Sequence, residues 1–169
     1  MKIAPDIMGA DFAPEEDIKG VKQFFEQSDD MSIHLLLIGN SELAAPYLSS
    51  LEPFKGRFTI IEASDVIEMH EHPTKALKEK PNSSMAMGFG LMKMEKADAF
   101  LSAGNTGAMM VGSMYSVKTI EGILRPTIIS PIPRPDGGYN LLVDAGANAD
   151  CKPEHLVQFA QLGSMYVNR

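Results

Sequence analysis

Short, continuously apolar runs alternate with amphipathic segments along this chain, and this alternation restricts the possible folds more than any other feature. Residues 32–38, SIHLLLI, and 57–61, RFTII, lack the polar–apolar alternation of a half-exposed strand, which is typical of strands buried on both faces. Pro14, followed by three acidic residues and by apolar residues at helical spacing, predicts a helix between strands. The pattern therefore predicts an α/β fold with a mostly parallel sheet covered by helices on both faces.

The same signals locate the other elements. Ser83 and Ser84 are typical helix caps, and Pro153 is a typical first helical residue. We expect strands at 1–6, 98–102 and 141–143, helices at 72–77, 84–96, 105–118 and 153–166, an extended segment at 126–130 and a hairpin turn at 136–138.

Length and charge limit the domain organisation and the partners. With 169 residues, 44% of them hydrophobic, the chain has the size of a single α/β domain spanning residues 1–169. The net charge of −7 argues against nucleic acid as the main partner, because a phosphate backbone requires a basic surface. No apolar run approaches ~20 residues, so we expect at most peripheral membrane contact. The lone Cys151 suits a reducing compartment, and we expect a cytoplasmic protein.

The loop SAGNTG, residues 102–107, has the composition of an anion-binding turn. It stands between the apolar run 99–101 and a segment rich in Ala and Met. Its two glycines let the backbone turn tightly and approach a ligand, and Asn105 and Thr106 can cap the following helix. Free N–H groups and the helix dipole favour phosphate or carboxylate at such a terminus. Taken alone, a loop of this kind is more often an ordinary helix cap.

Three further loops place small and polar residues together at predicted strand ends or helix starts. Residues 6–11, DIMGAD, carry two carboxylates; residues 144–150, DAGANAD, carry two acids and an amide; and residues 83–84 follow two lysines. Loops at the carboxyl ends of parallel strands converge on one ligand, so the four loops predict one shared pocket. Its candidate phosphate- or substrate-binding residues are Asp6, Gly9, Asp11, Lys78, Lys80, Ser83, Ser84, Ser102, Gly104, Asn105, Thr106 and Gly107.

No metal or cofactor is expected at this pocket. His70 and His72 flank Glu71 at a spacing that metal sites use, but no third ligand is evident, so we interpret this stretch as a surface loop. The loops match neither GxGxxG nor GxxxxGK[ST], and nucleotide binding has no support in the sequence.

Five segments, in this order and spacing, resemble a known family: DIMGADFAP, KEKPNSSM, SAGNTGA, RPT and DAGANADCKPEHL. They are similar to the N-terminal half of the bacterial phosphate acyltransferases of phospholipid synthesis, the PlsX family, and the resemblance covers essentially the whole chain. It implies a three-layer α/β/α sandwich like that of phosphotransacetylases and isocitrate-type dehydrogenases. It also implies that the C-terminal half of the usual chain is absent here.

The resemblance implies acyl transfer from acyl carrier protein to inorganic phosphate, which gives acyl phosphate for glycerol-3-phosphate acylation. Acyl carrier protein, inorganic phosphate and a second copy of the chain are the implied partners. Phosphate is itself the nucleophile, so positioning supplies much of the rate. Backbone amides at 104–107 would bind it, and Asp144, Asp150, Asp11 or His155 would orient or deprotonate it. The implied catalytic residues are Asp144, Asn148, Asp150, Lys152 and His155.

Two other functions stay open at this point. One is a non-catalytic remnant that binds phosphate without turnover. The other is a phosphotransacetylase-like enzyme that uses an acyl-coenzyme A, for which Lys78, Lys80 and Lys152 are the obvious candidate cations.

Overall fold

The computed structural model describes residues 1–168, and the chain divides into two compact units, Met1–Lys118 and Thr119–Arg169. The expectation of one domain over residues 1–169 stays a prediction.

A four-stranded parallel sheet forms the centre of the first unit, in the order β3-β2-β1-β4. The strands span Lys2–Pro5 (β1), His34–Gly39 (β2), Phe58–Glu62 (β3) and Ala99–Leu101 (β4). Ile3 lies opposite Leu35 of β2 and Ala99 of β4 in the ladder. This confirms a mostly parallel sheet, and it puts the strand ends at Asp6 and Ser102 side by side.

The helices of this unit are α1 (Glu15–Gln27), α2 (Ser41–Leu48), α3 (Pro73–Glu79), α4 (Ser84–Lys93) and α5 (Thr106–Ser116), with a 3₁₀ helix at Ser49–Phe54. Side-chain oxygens cap three of them, because each satisfies an amide of the first turn. Asn40 accepts from the Leu43 N–H, Ser83 from that of Ala86, and Asn105 from that of Ala108.

Both faces of the sheet are covered, because successive residues of β2 point to opposite sides. Leu35 and Leu37 pack with apolar residues of α1 and α2. Leu36 and Ile38 join the opposite cluster, which includes Leu91 of α4. The alternation explains why β2 is a continuous apolar run, and it confirms the three-layer arrangement expected for this part of the chain.

Glycines allow α4 and α5 to pack closely. A Cβ at Gly88 would overlap the ring of Phe100 on β4, and a Cβ at Gly112 of α5 would overlap the ring of Phe89 on α4. The two rings stack edge to face, with centroids 5.0 Å apart. The contact of Gly112 with the Phe89 ring lets α5 pack against α4, and it thereby positions the loop that precedes α5.

The second unit contains an antiparallel hairpin and one helix. Strands β5 (Ile129–Pro133) and β6 (Tyr139–Val143) pair across a turn in which Gly137 has a φ of 84°, as the predicted hairpin requires. Helix α6 (Pro153–Val167) follows, and its Gly163 lies against Val143 of β6. In residues 1–168, no helix combines the length and apolar character that crossing a bilayer requires.

Candidate functional site

The first candidate cluster is built on Asp6, which follows β1. Its side chain is 5% exposed, and its carboxylate accepts from the Met8 N–H at 2.9 Å and from the Ser102 hydroxyl at 2.8 Å. Ser102 follows β4, and its Oγ also accepts the Gly104 N–H at 3.1 Å. A buried carboxylate therefore joins the loops that follow two adjacent strands, although 96 positions separate Asp6 from Ser102.

Gly9 and Gly104 bring the backbones of these two loops into direct contact. A Cβ on Gly104 would overlap the carbonyl oxygen and the Cα of Gly9. A Cβ on Gly9 would lie 2.8 Å from the Asp6 carboxylate and 3.0 Å from the Gly104 nitrogen. Glycine is required at both positions because no side chain fits between the loops.

Asn105 connects the SAGNTG loop to the segment at 68–71. It has a left-handed φ of 36°, which asparagine tolerates better than most residues. Its Oδ1 caps α5, while its Nδ2 donates to the backbone oxygens of Glu68 at 2.8 Å and Glu71 at 3.1 Å. The Asn105 N–H points to the Met69 sulfur at 3.1 Å. One buried side chain thus holds the helix start and a neighbouring loop together.

The start of α5 keeps two backbone donors available. Within the described residues, the N–H groups of Thr106 and Gly107 have no hydrogen-bond acceptor, whereas those of Ala108 and Met109 bond to Asn105. Thr106 is exposed. Two free amides at the positive end of a helix dipole are the groups that bind an oxyanion.

Structural contacts near this cluster involve Lys80 and Ser83, and Ser84 adjoins them in the chain. The Lys80 ammonium donates to the Val66 carbonyl at 2.7 Å and to the Glu71 carboxylate at 2.5 Å, and this bond lowers the pKa of Glu71. Ser83 and Ser84 are 0% and 1% exposed. The Ser83 hydroxyl donates to the Lys80 carbonyl at 2.8 Å while it caps α4.

Asp17, in the first turn of α1, is a second partly buried acid of this unit. Burial raises its pKa first, and the negative charge of Asp6 raises it further. Its Oδ2 is enclosed and finds no hydrogen-bond donor among residues 1–168. The charged form is therefore disfavoured at this position.

The second candidate cluster lies in the second unit and centres on Asp144, which follows β6. Its Oδ1 accepts from the Thr127 hydroxyl at 2.9 Å and the Ile128 N–H at 2.8 Å. Its Oδ2 accepts from the Asn148 N–H at 2.6 Å and the Asn148 side-chain amide at 3.2 Å. The same amide reaches the Pro126 carbonyl at 2.8 Å. Four donors on one carboxylate define the path of the DAGANAD loop.

These bonds decide the protonation of Asp144. Burial raises its pKa, but the amides of Ile128 and Asn148 and the hydroxyl of Thr127 outweigh that effect, and its pKa lies below the ordinary value. A carboxylate with a lowered pKa and both oxygens occupied is a weak proton acceptor. The geometry therefore gives Asp144 a role in holding the loop.

Lys152 and His155 begin α6. The His155 side chain is 7% exposed, and its Nδ1 accepts the Lys152 N–H at 3.1 Å. Lys152 and Asp150 are exposed, and Asp150 has a positive φ of 48°. The buried imidazole and the exposed ammonium thus adjoin the same helix start.

The comparisons with known proteins agree on one family. Residues 1–169 match the family described as fatty acid synthesis protein. Phosphate acyltransferases from Desulfitobacterium hafniense and Bacillus licheniformis are each 45% identical over 166 residues, and that from Syntrophomonas wolfei is 40% identical over 168 residues.

The chain belongs to the phosphate acyltransferase family.

The chain spans about half the length of the curated phosphate acyltransferases it matches: 98% of its own residues align with 48% of the Desulfitobacterium relative, and 99% with 52% of the Syntrophomonas relative. A crystal structure of a phosphotransacetylase from Streptococcus pyogenes has the same fold, with a TM-score of 0.66 at 21% identity. It is matched over 95% of this chain and 51% of its own. The fold expected from the sequence is confirmed.

Several of the residues predicted for the phosphate acyltransferase site lie close to one another, and they form two groups. Asp6, Gly9, Ser102, Gly104 and Asn105 form one group, which Thr106 and Gly107 continue. Asp144 and Asn148 form the other, and Lys152 and His155 bond to each other nearby in sequence. Each group belongs to its own unit, so the shared pocket stays a prediction. The roles assigned to all these residues, and to Asp11, Lys78, Lys80, Ser83, Ser84 and Asp150, stay predictions too.

Three further residues form hydrogen bonds in the candidate clusters and were not predicted from the sequence. Glu68 and Glu71 contribute backbone oxygens to Asn105, and Thr127 contributes its hydroxyl to Asp144. The RPT motif, which contains Thr127, was the available signal for the last of these. In the part of the chain that is described, no three metal-ligating side chains are grouped at the stretch around His70 or elsewhere.

Proposed function

We propose that this chain supplies the phosphate-binding part of an enzyme that transfers an acyl group from acyl carrier protein to inorganic phosphate, yielding acyl phosphate for glycerophospholipid synthesis. Membership of the phosphate acyltransferase family supports the reaction type. The observation that carries the proposal is the start of α5, where the amides of Thr106 and Gly107 are free and the helix dipole favours an oxyanion.

The chemistry needs no covalent enzyme intermediate. An oxygen of hydrogen phosphate attacks the thioester carbonyl carbon, a C–O bond forms, and the carbonyl π electrons move to oxygen. The tetrahedral intermediate then collapses, the C–S bond breaks, and the leaving thiolate takes the proton that phosphate brought. The products are acyl phosphate and the free carrier thiol. Holding phosphate in line with the thioester, together with donors to the oxyanion, supplies the acceleration.

Asp6 and Asn105 serve this reaction by fixing the geometry of the phosphate loop. Asp6 holds Ser102, and Asn105 holds the first turn of α5 and the segment at 68–71. Because both side chains are buried, their effect is on the position of the backbone amides. We propose that the reaction takes place in the cytoplasm, because the lone Cys151 suits a reducing compartment. We also propose that the enzyme is a homodimer, since a second copy of the chain is among the expected partners.

A phosphotransacetylase-like reaction on an acyl-coenzyme A is the second candidate, and the shared fold favours it. The two reactions differ in the acyl donor. Release of free thiol from acyl carrier protein and from acyl-coenzyme A, each with and without phosphate, separates them. The full-length relative from Bacillus licheniformis serves as the reference enzyme.

The phosphate-binding part of the proposal is tested by two variants at one position. Thr106→Pro removes the free N–H at the first helical position, where proline is tolerated, whereas Thr106→Val keeps the N–H and removes only the hydroxyl. We expect Thr106→Pro to weaken binding of inorganic phosphate by about tenfold, as for a lost charge-assisted hydrogen bond, with Thr106→Val close to wild type. Calorimetric titration of the full chain measures this, with circular dichroism as the folding control. Equal phosphate binding by both variants and the wild type contradicts the proposal.

A further inference from the structure

The two edges of the β5–β6 hairpin differ in their capacity to pair with a further strand. The Arg134 N–H donates to the Gly138 carbonyl at 2.8 Å, which makes these two residues a hydrogen-bonded pair. Hydrogen-bonded and non-hydrogen-bonded pairs alternate along an antiparallel ladder, and the backbone groups of the latter point away from the partner strand. The non-hydrogen-bonded pairs of the hairpin are therefore Pro133–Tyr139, Pro131–Leu141 and Ile129–Val143.

Proline protects the outer edge of β5. Pro131 and Pro133 hold positions at which a backbone N–H would point outward, and proline has no N–H. Prolines at such positions protect an edge strand against further pairing, because they remove the donors that a neighbouring strand needs. The hairpin is therefore blocked on the β5 side.

The outer edge of β6, in contrast, is open. Tyr139, Leu141 and Val143 direct their N–H and C=O groups to that side, and the strand Tyr139–Val143 contains neither a proline nor a charged residue. Within residues 1–168 the hairpin is a sheet of two strands, so no described strand pairs with this edge. The edge of β6 thus keeps the donors and acceptors that a third strand requires.

A largely apolar groove of about 620 Å³ lies beside the open edge. Its described lining comes from β6 and α6 and includes no residue of β5, so the groove lies on the open side of β6. Leu141 and Val143 belong to one wall, and Phe159 and Ala160 of α6 belong to the other. Because side chains alternate between the two faces of a strand, a strand added to β6 would place every second side chain in this groove. The open edge and the groove therefore fit the same ligand, an extended segment with apolar residues at alternate positions.

The length of the relatives and the position of α6 indicate the source of such a segment. The curated relatives are about twice as long as the region matched here, so about half of the family sequence is unmatched. α6 follows β6 in the chain and packs against it, with Gly163 beside Val143. A helix in this position is typical of the crossover in a β-α-β unit, whose second strand lies parallel to the first in the same sheet.

We propose that the open edge of β6, together with the groove, binds one strand from the unmatched half of the phosphate acyltransferase sequence, and that this strand lies parallel to β6. The backbone groups of Tyr139, Leu141 and Val143 form the ladder, and the groove holds the apolar side chains on the α6 side. The proposal holds whether the unmatched half belongs to the same polypeptide or to a separate one. It concerns the assembly of the second unit and does not depend on the proposed reaction.

Hydrogen exchange at single amides, measured by NMR, tests the edge directly. The full chain is compared alone and co-expressed with the unmatched half of the relative from Bacillus licheniformis. In the chain alone, we expect the Leu141 N–H, which points outward, to exchange faster than the Leu142 N–H, which faces β5. In the complex, exchange at Leu141 should slow by at least about tenfold.

Two outcomes of this experiment overturn the proposal. Slow exchange at Leu141 in the chain alone means that a second copy of the chain already covers the edge, and fast exchange at Leu141 in the complex means that no strand pairs there. If no complex forms, the full-length relative decides: slow exchange at the position aligned with Leu141 supports the proposal, and fast exchange contradicts it.

Two variants at one position separate the backbone donor from the side chain. Leu141→Pro removes the outward N–H and keeps the ladder with β5, as Pro131 does on the opposite strand, whereas Leu141→Ala shortens the side chain and keeps the N–H. We expect Leu141→Pro to bind the unmatched half at least about fivefold more weakly than Leu141→Ala, as for a lost hydrogen bond. Equal binding by the two variants overturns the pairing. If Leu141→Pro does not fold, Tyr139→Pro and its control Tyr139→Thr make the same comparison at the start of β6.

Discussion

At the scale of single residues, Asp144 is a candidate catalytic acid whose two carboxylate oxygens are both occupied by hydrogen bonds within the fold. Thr127, Ile128 and Asn148 place four donors around its two oxygens. A general base needs an oxygen open to the substrate and a pKa near the working pH. Asp144 has neither, because these bonds lower its pKa against the effect of burial. In the reaction that we propose, the proton on phosphate therefore leaves by another route, and the thiolate leaving group provides one.

We predict that Asp144→Asn lowers stability by about 1–3 kcal/mol, since the amide turns a donor toward groups that themselves donate. Because the folded-state pKa of Asp144 is lowered, its contribution is complete above the ordinary aspartate pKa of about 3.9 and is lost as pH falls through the lower folded value. Urea denaturation of the wild type and the variant between neutral and acid pH measures the difference. Asp150→Asn, at an exposed position, is the control and should match wild type.

For Asp17, we predict the opposite dependence of stability on pH. Burial, and then the charge of Asp6, raise its pKa, so its ionised form destabilises the fold at neutral pH, and that cost disappears as pH falls below the unfolded-state value. Asp17→Asn should therefore raise the melting temperature at pH 7 and leave it unchanged in acid. Asp29→Asn, at an exposed position of the same unit, is the control. A lower melting temperature for Asp17→Asn at pH 7 would show that the carboxylate is favourable in the fold.

At the scale of elements, the approach of the loops after β1 and β4 depends on two glycines. We predict that Gly104→Ala destabilises the chain by about 1–3 kcal/mol, because its Cβ would overlap the Gly9 backbone. Gly20→Ala is the matched control: it lies within α1 with open space around it, and alanine should stabilise the helix by about 0.5–1 kcal/mol. Chemical denaturation of both variants checks the difference. Equal effects would mean that the loops separate easily.

Local patterns were sufficient to locate the elements. The helix expected at 105–118 spans 106–116, the strand expected at 57–61 spans 58–62, and the hairpin turn at 136–138 is present. Each depends on residues within a few positions of one another: an Asn cap, a run of apolar residues, an Asp-Gly-Gly turn. Two bounds differ by three residues: α4 stops at Lys93 and not near Lys96, and the extended segment expected at 126–130 is the strand Ile129–Pro133.

The contacts that build the site were beyond the reach of such patterns. Asp6 with Ser102 and Asn105 with Glu68 join positions far apart in sequence, and periodicity carries no information on such pairs. Likewise, the sequence could not show that hydrogen bonds occupy both oxygens of Asp144, because one donor, Thr127, comes from another segment. Residue types and loops could be predicted from the sequence, whereas which side chains stay available for a substrate could not.

At the scale of the whole molecule, the apolar core is distributed unevenly. Among residues 1–168, the three clusters of buried apolar side chains all lie within Met1–Lys118. The second unit has a two-stranded hairpin and a helix, with Phe159 as its one large buried apolar residue among those described. We predict that residues 1–118 expressed alone melt cooperatively and that residues 119–169 alone do not, because an isolated hairpin is marginal in water. Thermal circular dichroism of the two fragments tests this, and a cooperative melt of 119–169 contradicts it.

Exposed apolar residues on α6 lead to a prediction about assembly. Val157, Met165 and Tyr166 are each more than half exposed, which is unusual for neighbouring large residues on one helix. We predict that the chain self-associates and forms little acyl phosphate by itself. Light scattering against concentration should detect the assembly, and Val157→Lys with Met165→Lys should reduce it. Met31→Lys, at an exposed position in the first unit, is the control. A monodisperse monomer with the turnover of a full-length relative contradicts the prediction.

The position of β1 in the sheet has a consequence for the order in which the protein can be made. β1 precedes β2 and β4 in the chain, yet it lies between them in the sheet. Its ladder with β2 can close once residue 39 has emerged, but its other edge must wait for residue 101. Between the synthesis of residue 39 and that of residue 101, the nascent chain therefore presents β1 with one edge unpaired. A charged substitution on that unpaired edge would therefore act on a folding intermediate before it acts on the finished sheet.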